Sequence, residues 1–588
     1  MRAPTRSTSL LFVFLSLLAL TPVSSAAEPA PLPQGPGQEL GDLKEEIDPS
    51  LRWLRGTQDA KTGAYGDGVM SSAWALRALA EGPRAYRAGD GFFVRGARDF
   101  LLSRQSPEGW IADADAVGGA RRTQTQLAAL ALFTLLDNTT REAYTKALVW
   151  LTDAGLESPY HMLPTYEQET EAATRRALAL LAKRQRDGSY AGEQGAVLAT
   201  SYAAVELASY ARLLKGGNKS YSQPSALPDY TPATPEQVDA AMQRGALFLL
   251  SVAEDGKWGA PGYADAGLTA IATGALQALP EPRPAPIQEA IDANLDWLAS
   301  LQHEDGSIHQ GRLYNYVTSA AVMALAKSEK PAHKAAVLAA RDYLIDLQAD
   351  EGEGYSEGDR YYGGIGYGGD ERPDLSNMQM ALEALDASGL DKDHEAYQRA
   401  IRFLERCQNR SESNDIRIQS GDVVIVAGDD GGAQYMPGDS KAGTLELADG
   451  SLVPRSYGSM TYALLKSFVF AGLEADDPRV LAAWNWLQAN YTVDTNPGFD
   501  TSRDPRAGYQ GLFYYYHSMA RALQVFGAET ITDADGKLHD WRAELGGRLL
   551  ALQSKQDGSW VNANAPRWWE GNPVLASAYA LLTLRATR

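Results

Sequence analysis

The chain has 588 residues, more than one hydrophobic core normally accommodates, so two domains or one long repeat array are expected. Apolar residues make up 44% and charged residues 22%, a balance typical of globular rather than disordered chains. The net charge of −20, with no basic stretch, argues against nucleic acid and against electrostatic docking to anionic lipid. The single cysteine, Cys407, excludes an internal disulfide and is expected to be a small buried residue.

Residues 1–27 predict a cleaved signal peptide. Arg2 and Arg6 supply its positive segment, residues 10–20 its apolar segment, and a run of small residues up to Ala27 its cleavage site. The apolar segment is shorter than the roughly 20 residues needed to span a bilayer. We therefore expect an exported protein, periplasmic or extracellular, with no transmembrane segment after cleavage.

A recurring pattern predicts helical hairpins along most of the chain. An amphipathic helix ends in an apolar pair, and Gln, a Gly turn and an aromatic or apolar residue follow in most copies. Glycine supplies the left-handed residue that ends a helix, and Asp and Ser satisfy the freed backbone groups of the turn. Copies of the pattern begin at Trp53, Phe100, Leu180, Leu249, Trp297, Tyr343 and Leu549.

A second, more apolar helix rich in Ala and Leu follows each turn. The alternation predicts two concentric layers with the apolar helices inside. We predict a closed α/α toroid because neither end shows the polar cap that an open solenoid needs. About ten hairpins exceed a single ring of five or six, so two barrels are expected. The predicted inner helices include residues 71–79, 123–135, 198–210, 267–279, 316–326, 376–385, 457–471, 512–526 and 573–584.

Two interruptions divide the repeats. A Pro/Ser-rich stretch at 215–236 predicts a linker after a first helical-hairpin segment at 28–214. Hairpins at 237–408 and 457–588 are expected to form the second toroid. Between them, 409–456 contains four consecutive β-branched residues and a Gly-Asp-Asp-Gly-Gly turn, which predict an insertion with a short β-ribbon. The predicted fold class is all-α, with this small β insertion.

The repeat resembles that of a known superfamily. The Gln…Asp-Gly-Ser-Trp pattern at 553–560 is similar to the QW repeat of triterpene cyclases. The stretch at 367–376 resembles the matching turn-to-helix segment of the squalene cyclase and prenyltransferase superfamily. The resemblance implies an α/α toroid but says little about chemistry, because related rings serve several functions.

The resemblance also locates a candidate acid. In squalene-hopene-type cyclases the acid is the middle Asp of an Asp-x-Asp-Asp-Thr segment, and the matching segment here begins at Asp374 and reads Asp-Leu-Ser-Asn-Met. The acid position is therefore Ser376, and a serine cannot protonate an alkene. Asp374 is more simply interpreted as the N-cap of its helix. The candidate catalytic residues are Asp374, Asp370, Glu371 and His517.

The prenyltransferase branch of the superfamily implies a possible zinc site. That branch binds zinc through an Asp, a Cys two residues later and a distant His. Asp374 matches the first ligand, Ser376 replaces the cysteine, and His517 lies on a later helix. The thiolate would be the strongest soft ligand of such a site, and this sequence lacks it. We therefore expect no metal and no cofactor.

Aromatic residues near the starts of the inner helices predict the lining of a cavity. Their faces stabilise carbocations, stack on sugar rings or simply fill a core. The successive residues 514–517 point in four directions on a helix, so only one or two of them face inward. The candidate ligand-binding residues are Tyr367, Tyr457, Tyr515, Tyr516, Trp568, Trp569 and Glu570.

Three functions are compatible with the sequence. The first is a cyclase-like protein, an isomerase or lyase if active, that acts on or binds a polyisoprenoid or another hydrophobic ligand. The second is a non-catalytic toroid that binds a hydrophobic small molecule or a partner protein. The third is a periplasmic carbohydrate-active enzyme with paired carboxylates among Asp370, Glu371, Asp374 and Glu570.

Overall fold

A computed structural model describes residues 43–135, 138–154, 177–214, 223–260, 262–368, 372–420, 423–502 and 504–588. The predicted signal peptide and the candidates Asp370 and Glu371 lie outside these residues. Within them, no helix combines the length and the apolar character that crossing a membrane requires. The chain forms two compact units, residues 1–219 with 419–422, and residues 220–418 with 423–588.

The first unit consists of helices arranged as hairpins. Helix α2 contacts both α4 and α6 and is buried along most of its length, whereas α3 and α5 pack on the outside of this group. The described helices of this unit are α1 (Lys44–Arg55), α2 (Val69–Glu81), α3 (Phe92–Ser103), α4 (Gly118–Thr134), α5 (Asn138–Asp153) and α6 (Ala196–Leu214).

The second unit alternates outer and inner helices. The outer helices are α7 (Pro235–Ser251), α9 (Ala285–Ser300), α11 (Pro331–Asp346), α13 (Glu395–Cys407), α15 (Pro478–Ala489) and α17 (Trp541–Leu552). The inner helices are α8 (Ala266–Gln277), α10 (Tyr314–Leu325), α12 (Leu375–Ala387), α14 (Gly458–Phe470), α16 (Leu512–Phe526) and α18 (Pro573–Thr587).

The inner helices of the second unit close into a ring. Each of them packs against the next one along the chain, and α18 packs against α8. Most residues of each inner helix are buried, from nine of fifteen in α16 to twelve of thirteen in α14. Such extensive burial requires neighbours on several sides, which a closed inner layer provides. The predicted all-α toroid is therefore confirmed.

In several hairpins of the second unit, a glutamine that follows the outer helix links that hairpin to the next one. The side-chain amide of Gln302 donates to the carbonyl of Gly306 in its own turn, at 3.0 Å, and to that of Ala336 on the next outer helix, at 2.8 Å. Gln348 and Gln408 repeat this pair of bonds in the following hairpins. The sequence pattern had missed the copy at Gln408. The recurring glutamine therefore acts as a backbone link between neighbouring hairpins.

The turn needs its glycine because it lies close to the backbone of the next outer helix. Gly306 has φ of +87°, and a Cβ added there would lie 2.3 Å from the carbonyl oxygen of Ala339 on the next outer helix. At Gly363 the added atom would lie 1.8 Å from the carbonyl oxygen of Arg399. Only glycine fits both the left-handed backbone and the short distance.

The insertion of the second unit contains a small sheet. Strand β6 pairs in parallel with β4 and antiparallel with β5. The C-terminal end of β6 is held by Asn409, whose side-chain amide donates to the carbonyl of Pro454 and to the hydroxyl of Ser456. The described strands are β1 (Gly259–Ala260), β2 (Tyr263–Ala264), β3 (Arg417–Ser420), β4 (Val423–Val426), β5 (Thr444–Glu446), β6 (Leu452–Pro454), β7 (Ile531–Thr532) and β8 (Leu538–His539).

Candidate functional site

The inward faces of α12 and α16 meet across the interior of the six-helix ring. Helix α14 lies between these two helices in the ring, so a direct contact between them crosses the lumen. On each helix the facing residues recur at i, i+3 and i+7, the spacing of one helical face. These residues are Ser376, Gln379 and Glu383 on α12, and Tyr514, His517 and Arg521 on α16.

The first layer of the lumen, which we call the tyrosine layer, comprises Tyr316, Ser376, Gln379, Tyr514 and Tyr579. The hydroxyl oxygens of Ser376 and Tyr514 are 3.1 Å apart, and the Gln379 amide donates to the Tyr514 hydroxyl at 3.2 Å. The hydroxyl oxygens of Tyr316 and Tyr579 are 3.5 Å apart. Burial raises the pKa of each of these three tyrosines above its ordinary value, so their hydroxyls stay neutral.

A second layer, the charged layer, lies one to two helical turns further along the same faces. The carboxylate of Glu383 accepts from the ammonium of Lys466 at 2.6 Å and from the guanidinium of Arg521 at 2.6 Å. Lys466 is only 1% exposed. Burial opposes ionisation of Glu383, but the two adjacent cations outweigh it and bring its pKa down to about 2.

His517 connects the two layers. Its ring stacks on that of Tyr579, with centroids 5.6 Å apart. Burial and the nearby Lys466 lower the pKa of the His517 imidazole to about 4, so it is neutral at pH 7. The charged layer therefore combines two cations with one carboxylate and has one excess positive charge.

Asp374 lies at the start of α12 and is 1% exposed. One carboxylate oxygen accepts from the backbone N–H of Asn377 at 2.9 Å, and the other accepts from the Asn377 side chain at 2.9 Å. The phenol of Tyr435, from the insertion, is a third partner. The predicted N-cap role is therefore confirmed, and burial raises the pKa of this carboxyl.

Two of the nominated tyrosines lie close to Asp374 and the tyrosine layer. Tyr367 is hydrogen-bonded to Tyr435, and its backbone carbonyl accepts from the N–H of Asn315 in α10. Tyr457 is buried at the start of α14. Its ring and that of Phe499 form an edge-to-face pair with centroids 5.0 Å apart. The structure thus brings Asp374, Tyr367 and Tyr457 together at the N-terminal ends of the inner helices.

Tyr515 and Tyr516 face away from the lumen. Both are fully buried, and their hydroxyls donate to the backbone carbonyls of Thr492 and Val493 at 2.7 and 2.8 Å. The residues of this run that face the lumen are Tyr514 and His517. Tyr514 had not been nominated, because the sequence alone does not fix the rotation of the helix about its axis.

The last three nominated residues lie before α18. Trp568 and Trp569 are 41% and 65% exposed, and both have left-handed backbone, with φ of 57° and 66°. Glu570 is buried beneath them, and its carboxylate accepts from the backbone N–H of Tyr514 at 2.8 Å and from the Asn562 side chain at 2.7 Å. Burial raises the pKa of Glu570 to about 7. Its carboxylate therefore caps the start of α16.

Two further features of the described residues bear on the site. A cleft of about 350 Å³ opens beside the start of α14, between the loop at 495–509 and residues 223–224. Asn496, which lines this cleft, makes two bonds to Ser459. Its side-chain oxygen accepts from the Ser459 backbone N–H, and its side-chain nitrogen donates to the Ser459 hydroxyl. Among the residues described, no group of three or more His, Cys, Asp or Glu side chains could hold a metal ion.

Sequence comparison identifies one family. Residues 268–421, from α8 into the insertion, match the family model of the squalene-hopene cyclase C-terminal domain. This match confirms the resemblance to the squalene cyclase superfamily over that segment. A search of curated proteins finds no match.

Structure comparison finds the type II terpene cyclase MstE from Scytonema. A variant in complex with geranylgeranyl dihydroxybenzoate is 18% identical, with 60% of this chain and 98% of that chain covered and a TM-score of 0.37. A variant in complex with merosterolic acid A is 17% identical, with the same coverage and a TM-score of 0.35. The apo enzyme is 16% identical, again with 60% and 98% covered, and has a TM-score of 0.36.

Proposed function

We propose that this squalene cyclase-like chain binds a hydrophobic small molecule beside the tyrosine layer and does not protonate it. The observation that carries the proposal is the residue at the acid position. Ser376 stands there, and its hydroxyl is hydrogen-bonded to that of Tyr514 rather than to a carboxyl group. A cyclase acting on an alkene needs an acid at this point, whereas a binding protein does not.

Asp374, two residues before Ser376, is poorly suited to replace the missing acid. Asp374 is held by Asn377 through both of its oxygens, and it stabilises the N-terminus of α12 in this way. Burial raises its pKa, so it is a weaker acid than an ordinary aspartic acid. Protonating an alkene requires the opposite, a carboxyl group of unusually high acidity.

The charged layer also disfavours cationic intermediates. Lys466 and Arg521 share the carboxylate of Glu383, so these three residues carry one more positive than negative charge. Two like charges about 8 Å apart repel by roughly 2 kcal/mol at an effective dielectric constant of 20. A carbocation formed in the tyrosine layer would be destabilised by this charge.

The tyrosine layer is nevertheless suited to binding. Neutral phenols present apolar faces together with hydroxyl groups, which fit a molecule with an apolar body and a polar group. The buried side-chain oxygen of Gln379 has no hydrogen-bond partner among the described residues. Because buried polar atoms are nearly always paired, this oxygen is a ready acceptor for a donor on a bound molecule.

The test combines ligand uptake with product analysis. The full chain is purified from its host and studied by native mass spectrometry, and is then incubated with squalene and with geranylgeraniol. We expect a hydrophobic molecule to be bound to the protein. We also expect squalene and geranylgeraniol to be recovered with unchanged chromatographic retention times. A cyclised product would refute the non-catalytic part, and well-folded protein that takes up no hydrophobic molecule would refute the binding part.

Two phenol-to-benzene substitutions on one helix provide a matched pair. Tyr514→Phe removes a hydroxyl that bonds Ser376 and Gln379 in the lumen. Tyr515→Phe removes a hydroxyl that bonds the backbone of Thr492 outside it. We expect the first variant to weaken ligand binding and the second to lower stability alone. Equal effects on binding would contradict the assignment of the lumen as the site.

We also propose that the protein acts after export. The support is the N-terminal pattern of Arg2 and Arg6, an apolar segment at 10–20 and small residues up to Ala27. N-terminal sequencing of protein from the host should begin just after Ala27. Full-length protein recovered only from the cytoplasm would refute this.

A further inference from the structure

Lys441 stands out at the N-terminal end of the six-helix ring. It lies in the insertion, and its ammonium nitrogen is 4.3 Å from the centroid of the Tyr435 ring. The backbone carbonyl of Tyr435 accepts from the N–H of Leu375, the first residue of α12, at 2.8 Å. The phenol of Tyr435 also bonds Asp374. The lysine is thus fixed, through Tyr435, beside the segment that carries Ser376.

The ammonium group of Lys441 lacks a direct anionic partner. Among the described residues it makes neither a hydrogen bond nor an ion pair, although the residue is half-buried. Asp439 and Asp374 act on it only from a distance, and both oxygens of Asp374 are already used by Asn377. Among the described residues, this partly buried ammonium contacts an aromatic ring but no acceptor, so its lost hydration is replaced only in part.

Charged side chains of both signs surround Lys441 among the described residues. Arg372 and Arg567 act on it electrostatically, as do the carboxylates Asp374 and Asp439. The two carboxylates are the larger influences, yet neither bonds the ammonium group. The unpartnered ammonium therefore disfavours a cationic ligand and favours an anionic one.

We infer that the molecule bound beside the tyrosine layer has an oxyanion head group, a carboxylate or a phosphate, which the Lys441 ammonium holds. This inference rests on the proposed binding function and specifies the class of its ligand. The apolar body would contact the faces of the tyrosine layer. The oxyanion would supply the acceptor that Lys441 lacks.

Three ligands with one hydrocarbon chain test the inference on the wild-type protein. The full chain is titrated with geranylgeranyl phosphate, geranylgeranoic acid and geranylgeraniol while tryptophan fluorescence is followed. We expect at least one of the two anions to bind about tenfold or more tightly than the alcohol, with the advantage shrinking as salt is added. The phosphate and carboxylate arms show which oxyanion is preferred.

Lys441→Gln is expected to weaken anion binding by roughly ten- to a hundredfold and to leave binding of the alcohol unchanged. Lys441→Arg should retain most of the anion preference, because the positive charge remains. The matched control is Lys257→Gln, since the Lys257 ammonium also lies over an aromatic ring, that of Trp297, at 5.5 Å. This control should bind all three ligands as the wild type does.

The outcomes separate the two proposals. If all three ligands bind equally and Lys441→Gln changes nothing, the oxyanion inference is overturned while the binding function stands. If none of the three binds and no other hydrophobic molecule is taken up, the binding function is overturned as well. The comparison of the three ligands uses the wild-type chain and therefore decides the matter even if Lys441→Gln does not fold.

Discussion

Closure of the six-helix ring can be tested at one side chain, Gln553. This residue follows α17, the last outer helix, and its amide donates to the carbonyl of Gly558 in its own turn and to that of Ala241 on α7, both at 2.9 Å. Its oxygen accepts from the guanidinium of Arg244, also on α7. The link therefore joins the last hairpin of the ring to the first.

Gln553→Leu removes these bonds while nearly preserving the side-chain volume. Each of the two amide bonds contributes about 1 kcal/mol to stability. Arg244 is exposed, so water replaces most of the acceptor that it loses. We expect the free energy of unfolding to fall by about 2 to 3 kcal/mol, measured by urea unfolding followed by far-ultraviolet circular dichroism.

Two other glutamines calibrate the result. Gln302→Leu breaks the same kind of link inside the ring, to Gly306 and Ala336, and should cost about 2 kcal/mol. Gln288→Leu removes an exposed bond to Asp292 in the same helix and a long bond from Arg283 just before it, and should cost less than about 0.5 kcal/mol. If Gln553→Leu lowered the free energy of unfolding as little as Gln288→Leu does, rather than as much as Gln302→Leu, the link that closes the ring would be refuted.

The remaining predictions concern the charged layer and one turn. The pKa of Glu383 is about 2 against an ordinary 4.5, so its ionised form contributes about 3 kcal/mol that is present above pH 4.5 and lost as the pH falls toward 2. Glu383→Gln should remove that dependence in urea unfolding at several pH values, and an unchanged profile would contradict the ion-pair assignment. The pKa of His517 is about 4 against 6.5, so protonation costs stability between pH 6.5 and 4, and His517→Asn should flatten the profile in that window alone. Gly363→Ala should cost at least about 3 kcal/mol in thermal or urea unfolding because its new Cβ would meet the Arg399 carbonyl. Gly389→Ala, with a similar φ but open space, should cost only about 1 kcal/mol, and equal costs would exclude the clash as the cause.

Much of the fold could be predicted because its determinants are local. Each turn pairs a glutamine with a glycine at short spacing, as at Gln302 and Gly306, and the alternation of polar and apolar helices indicates which layer is inside. The strand at 423–426 was visible as a run of β-branched residues. These signals depend on neighbours in the sequence, and so they survive without knowledge of the tertiary structure.

The lining of the lumen could be predicted only in part because it depends on helix rotation within the closed ring. His517 was nominated and lies in the lumen, but Tyr515 was preferred to Tyr514, and the two differ by one position on the same helix. Lys466 is the lone charged residue of α14, and its partner Glu383 is 83 residues away in the sequence. No pattern in the sequence connects residues that only the closed ring brings together.

The separation of these two sets of residues explains why the family resemblance says so little about chemistry. The links through Gln302 and Gln553 join the outer helices and their turns, and none of their bonds involves a side chain of the lumen. Changing a lumen residue such as Ser376 therefore leaves the joints of the ring intact. The fold therefore accommodates a serine at position 376 and a charged layer in the lumen without any change to these joints. The chemistry of the lumen is therefore set by the tyrosine layer and the charged layer, and the repeats form the scaffold that positions them.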